Sequence, residues 1–217
     1  MTLTNVHISI GVMLLSFSIG FLAYYVISDD VKKGQKKIHM GETLNQLVNF
    51  VIYIWLGKVL LNIPLFIEDP LAVLAYPSNS HAFHIAIFVS VIALMIKTKR
   101  GKMDVVPFLH TFIHIFLIST FIYEFIQFVW YDNRYSIAYM GLVVLLIVAL
   151  VLTRRFLSVQ WQNVFIYFAW TLGSFMLTLF LPIMTVFGYT VKPWFSGFLL
   201  IVALILIVYQ KQLSKVD

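Results

Sequence analysis

The sequence predicts an all-α, polytopic membrane protein: one transmembrane domain over residues 1–217 with seven spanning helices, the amino terminus outside and the carboxyl terminus in the cytoplasm. Three observations predict it. Of 217 residues, 61% are hydrophobic and only 11% charged, too little polar surface for a water-soluble domain of this size. Apolar runs recur at lengths that suit a bilayer. The lysines and arginines gather in alternate connections.

The apolar stretches are 8–27, 45–67, 81–96, 105–129, 135–153, 162–186 and 194–209. Each is near the roughly 20 residues that cross a hydrocarbon core at about 1.5 Å per residue. The first follows the leader "MTLTNVH", which has no lysine or arginine, and no small-residue cleavage site comes after it. It reads as a retained helix rather than a signal peptide. The stretch "LAVLAYPSNS" before the third span suits an interfacial position.

Orientation follows from the cations. The connection 28–44 holds Lys32, Lys33, Lys36 and Lys37, and the one after the third span holds Lys97, Lys99, Arg100 and Lys102. Arg154 and Arg155 follow the fifth span, and Lys211 and Lys215 lie in the tail. The intervening connections hold only Arg134 and Lys192, beside Glu68, Asp69 and Asp132. Positive charge stays in the cytoplasm. Trp130 and Trp194 then fall at the outer interface and Trp161 at the inner one.

The absence of cysteine excludes disulfides, thiolate metal sites and cysteine nucleophiles. Ionisable groups inside spans are costly and point to function or to an interior partner. Lys58 and His84 both lie about 20 Å above the basic ends of their helices at about 1.5 Å per residue. Glu124 and His7 sit nearer the outer ends, so a polar cavity in the outer half is expected. Each residue has a plainer reading. His81 suits a wet helix end, Lys58 can snorkel along its stem, and Glu124 can pair with Lys58 to seal the interior. His110 and His114 share a helix face and suit a buried hydrogen-bonded role. His39, among lysines, suits a solvated loop.

No cofactor is expected. A bis-histidine haem needs two ligands at one depth on different helices, and His84 and His114 differ by about one turn. Zinc needs three or four converging ligands, and neither histidine pair has a specific metal spacing. No nucleic-acid partner is expected either.

Several segments, taken in order over roughly residues 45–180, carry a resemblance. Gly57-Lys58-Val59-Leu60 is similar to a G-A-R-L motif, and Asp69-Pro70-Leu71 to an "nPl" loop. "FHIAI" (Phe83 to Ile87) stands where F-H-G-G-L would, with His84 on the histidine. "MDVVPFL" (Met103 to Leu109) is similar to a D-x-x-x-P helix entry, and "TFIYEF" (Thr120 to Phe125) to the end of a signature whose glutamate falls at or near Glu124. Tyr139 is similar to the tyrosine of P-T-x-L-Y-E, and Arg154-Arg155 to the basic end of the fifth helix. "WTLGSF" (Trp170 to Phe175) resembles Y-G-x-x-R-F with Ser174 in the arginine place. Together they resemble the prolipoprotein diacylglyceryl transferases, seven-helix enzymes of the bacterial cytoplasmic membrane that move a diacylglyceryl group from phosphatidylglycerol to a lipoprotein cysteine.

The resemblance implies a multi-pass protein of that membrane, with His84 and Glu124 in catalytic places and Lys58, Tyr139 and Ser174 in lipid-binding ones. It implies phosphatidylglycerol as ligand and a lipoprotein or membrane protein as partner. Arginine is missing from each of the three motifs that carry one, and serine cannot replace a planar, permanently charged fork on a phosphate. Isoleucine and alanine replace the two glycines after the histidine. The expectation is therefore lipid or lipoprotein binding with lost or altered transfer chemistry. A working lipid-modifying enzyme, an accessory subunit and a small transporter are the alternatives. Pro64, Pro107 and Pro182 lie near helix ends, whereas transporters break helices at mid-membrane.

Overall fold

The computed structural model describes residues 3–28, 33–75 and 80–213. Lys32, Lys215 and the stretch Pro77 to Asn79 lie outside the described residues. Among the described residues the chain is all-α apart from one small hairpin, and seven helices are long and apolar enough to cross a membrane. The residues form two compact units, one of 1–6 with 30–108 and the other of 7–29 with 109–217.

The first unit contains α2 (Lys33–Leu61), α3 (Ile63–Glu68), α4 (Pro70–Ala75) and α5 (Ser80–Lys99). The basic stretch expected as a loop is the beginning of α2. Gln35, Lys36, Lys37, Met40, Glu42 and Leu44 all favour helix, and Thr43 returns its hydroxyl to the His39 carbonyl at 2.9 Å. His39 is thus helical and half-buried, 3.4 Å from Glu42. With 29 residues, α2 is about 43 Å long at ~1.5 Å per residue, more than the ~30 Å hydrocarbon core.

That second span was expected to run to 67, but α2 stops at Leu61. Pro64 ends it, because a proline ring clashes with the carbonyl one turn earlier, and it sits instead in the first turn of α3. Asn62 leaves helical geometry at φ −134° and ψ 39°, and its Nδ2 donates to the freed Lys58 carbonyl at 2.9 Å. Asp69 then caps α4, its Oδ1 accepting from Ala72 N at 3.0 Å.

The helices α2 and α5 meet at glycine. A Cβ on Gly57 would lie 3.0 Å from the Ala82 carbonyl oxygen and 3.2 Å from its Cα. Ala82 and Ala86 are fully buried, and Phe50 packs edge-on against Phe83 at 5.6 Å. Small residues let the backbones approach closely, the usual basis of helix pairing in lipid. Beyond α5, Gly101 (φ +64°) makes the left-handed turn. Lys102 N donates to Lys97 O and Gly101 N to Thr98 O, a Schellman ending.

The second unit contains most of α1 (Leu3–Ile27) and of α6 (Val105–Tyr131), with α7 (Tyr135–Thr153), α8 (Val159–Phe180), β1 (Thr185–Val186), β2 (Tyr189–Thr190) and α9 (Pro193–Leu213). Gly20 of α1 packs against Ser119 and the Ile115 carbonyl of α6, and Gly173 of α8 against Leu142 of α7. Thr178 of α8 and Ser196 of α9 share a hydrogen bond of 3.1 Å.

The sixth span was expected to reach 186; α8 ends at Phe180. The reason is again proline, since Leu181 before Pro182 is driven to extended geometry (φ −100°, ψ 140°). An antiparallel hairpin follows, pairing Thr185 with Thr190 and Val186 with Tyr189. Its two turn residues, Phe187 (φ +50°) and Gly188 (φ +82°), both have positive φ, which matches the right-handed strand twist of a type I′ turn. Left-handed geometry is unfavourable for phenylalanine. Three rings hold it there: Phe17 stacks at 4.8 Å, with Tyr123 at 5.3 Å and Phe116 at 5.9 Å edge-on.

Candidate functional site

Within the first unit, Lys58 and His84 sit at the α2–α5 contact. Lys58 follows Gly57, and His84 is two residues past Ala82, so the glycine–alanine approach brings their backbones to one level. Lys58 is 6% exposed and His84 3%. Both lie within about a turn of a helix end, Lys58 before Leu61 and His84 after Ser80. A lysine in the last turn of a helix also complements the partial negative charge of that terminus. His81 is exposed, as a wet helix end requires, and its ring meets His84 edge-on at 6.3 Å.

The second unit holds Glu124, Tyr139 and Ser174. Most hydroxyls on these apolar helices return to a carbonyl one turn earlier, as Ser16 does to Val12 (2.8 Å) and Thr120 to Phe116 (2.7 Å). Ser136 and Ser174 do not: their Oγ atoms are buried without a hydrogen-bond partner. Glu124 is 1% exposed, and its Oε1 likewise has no partner. Ser136 Oγ lies near that carboxyl without good hydrogen-bond geometry.

Glu124, Ser136 and Tyr139 line one cavity of about 150 Å³, together with Asn133, Tyr135 and the chain from Leu181 to Thr185 except Pro182. Tyr139 is fixed in it by Trp170 of α8, whose Nε1–H donates to the tyrosine oxygen at 3.0 Å. The structure thus brings Glu124 and Tyr139 together and leaves Ser174 out of the cavity wall. Ser136 and Asn133 were not anticipated. The signal for Ser136 is its place three residues before Tyr139, on the same face of α7.

The other histidines form a separate cluster. His114 Nδ1–H donates to the His110 carbonyl at 2.7 Å, and its ring meets Tyr24 edge-on at 5.7 Å. Tyr24 shares a 2.9 Å hydrogen bond with Thr111, and the Asn163 side chain lies beside His110. These contacts are structural ties between α1, α6 and α8. His7 lies on α1, but its side chain is outside the described ones. Among the described residues no three His, Asp or Glu side chains converge as a metal site.

Comparison with family models, with curated proteins and with solved structures finds no match to this chain. The fold and the site therefore define a class only: a multi-pass α-helical protein with seven potential spans and buried polar groups among them.

Proposed function

We propose that this protein binds an anionic phospholipid, phosphatidylglycerol foremost, in the bacterial cytoplasmic membrane. It is a diverged relative of the prolipoprotein diacylglyceryl transferases in which the transfer chemistry is lost or altered. The observation that carries this reading is the burial of Lys58 beside the Gly57–Ala82 contact, with His84 on the facing helix. Removing an ammonium from water is expensive, and an anion with several acceptor oxygens offsets that cost. The motif positions of Lys58, His84, Glu124 and Tyr139 support the same family.

Lysine is a point charge that binds phosphate without the two-pronged geometry of arginine. A phosphate held by that single point charge is fixed less rigidly than transfer requires, so binding outlasts catalysis. The distribution of lysine and arginine supports an outer amino terminus and a cytoplasmic carboxyl terminus. Native mass spectrometry of the detergent-purified chain tests the reading. Bound phosphatidylglycerol is the expected result. A stoichiometric protein partner with no bound anionic lipid would replace this reading with an accessory-subunit role.

A further inference from the structure

The Glu124 cavity has a chemistry of its own. It lies wholly within the second unit and stands independently of the phospholipid reading. At its inner end are the Glu124 carboxyl and the Ser136 hydroxyl, each with a buried oxygen that meets no donor. No lysine, arginine or histidine lines it, so the wall offers the carboxylate no cation. At its outer end Tyr135 and Ile183 are 49% and 54% exposed, so the cavity reaches the surface of the unit.

We propose that this cavity binds a primary ammonium group carried on a short alkyl arm. Once ionised, the Glu124 carboxylate is an acceptor only, and in a water-poor site it requires positive charge and N–H donors, which an incoming ammonium supplies. A primary ammonium brings three such donors, and the orphan oxygens of Glu124 and Ser136 take two of them. The volume of about 150 Å³ is roughly ten times what one water needs, so a bare ion leaves most of it unfilled. Leu181, Ile183 and Met184 give the wall an apolar stretch beside Asn133 and Thr185, and Tyr135 and Tyr139 add rings. That lining suits methylene groups and the cation beside them. A divalent metal would want more than the single carboxylate present.

The ammonium can come from the aminoethyl headgroup of a membrane lipid or from a free amine, and melting of the full chain in detergent separates the two. Ethanolamine hydrochloride in hundredfold excess over its dissociation constant raises the melting temperature by about 5–10 °C. Tetramethylammonium chloride and sodium chloride at equal ionic strength do not. Glu124→Gln keeps the side chain's shape, removes its charge and abolishes the shift. Phosphatidylethanolamine added to the micelles, compared with phosphatidylcholine, reproduces the shift if the lipid headgroup is the source. If only ethanolamine acts, a free amine is the source. An equal response to all three salts, a shift that survives in Glu124→Gln, or no response to either amine overturns the proposal. Should Glu124→Gln fail to fold, Ser136→Ala decides: the shift must shrink, and an undiminished shift is equally contrary.

Discussion

Gly57 and the Ala82 carbonyl are in near contact: a Cβ at position 57 would stand 3.0 Å from that oxygen. The neighbour is backbone of a packed helix, so it cannot move aside cheaply. Gly57→Ala should therefore destabilise the protein by about 1–3 kcal/mol through overpacking. Gly41 on the same helix has nothing within 4 Å of its missing Cβ. Gly41→Ala should raise stability by up to about 1 kcal/mol. Thermal melts of the two variants in one detergent compare them directly; equal shifts would remove the close approach from the account.

At the hairpin, Gly188 combines φ +82° with a Cβ position 2.9 Å from the Tyr123 hydroxyl. Gly188→Ala carries both penalties and should lose about 1–3 kcal/mol. Adding Tyr123→Phe relieves the contact but not the backbone strain, so the double variant should recover only part of the loss. Full recovery in melting would show that φ is not the constraint.

Much of the fold was legible because hydropathy and charge report on it directly. The seven apolar runs and the basic connections need no tertiary information. What escaped lies where helices end. Pro64 and Pro182 lie near span ends, yet hydropathy alone carries those spans to 67 and 186, because apolar character continues past a proline where helical geometry does not. Hydropathy takes Thr185 and Val186 into an apolar span, although the β-branched and aromatic residues flanking Gly188 in "TVFGYT" are a hairpin signal. In the candidate site, Lys58, His84 and Glu124 announced themselves as ionisable groups in apolar surroundings. Ser136 did not, since most hydroxyls on these helices bond their own backbone and only coordinates show which ones do not.

The Trp170–Tyr139 hydrogen bond predicts an asymmetry. Tyr139→Phe leaves the half-buried Trp170 indole N–H without this acceptor and should cost about 1 kcal/mol. Combining it with Trp170→Phe removes donor and acceptor together. Relative to the Trp170→Phe background, Tyr139→Phe should then cost clearly less. A double-mutant cycle on melting data measures the coupling, and additive losses would count against the bond.

Topology can be read with single cysteines, because the chain has none. A cysteine at Asn133 should react with an impermeant thiol reagent in intact cells, and one at Gln35 should not. Labelling at Gln35 alone would invert the orientation.

Lys58→Met tests the central claim most directly. Methionine keeps much of the apolar stem, so the substitution removes the charge with little change in packing. A charge-assisted hydrogen bond contributes about 1.5–3 kcal/mol, roughly ten- to a hundredfold in affinity. Lipid extracted from equal amounts of purified wild-type and Lys58→Met protein should therefore show anionic phospholipid reduced at least about tenfold in the variant, with the helical circular dichroism retained. Unchanged anionic lipid in a folded Lys58→Met protein would contradict the account, leaving Lys58 as a helix-end cation and nothing more.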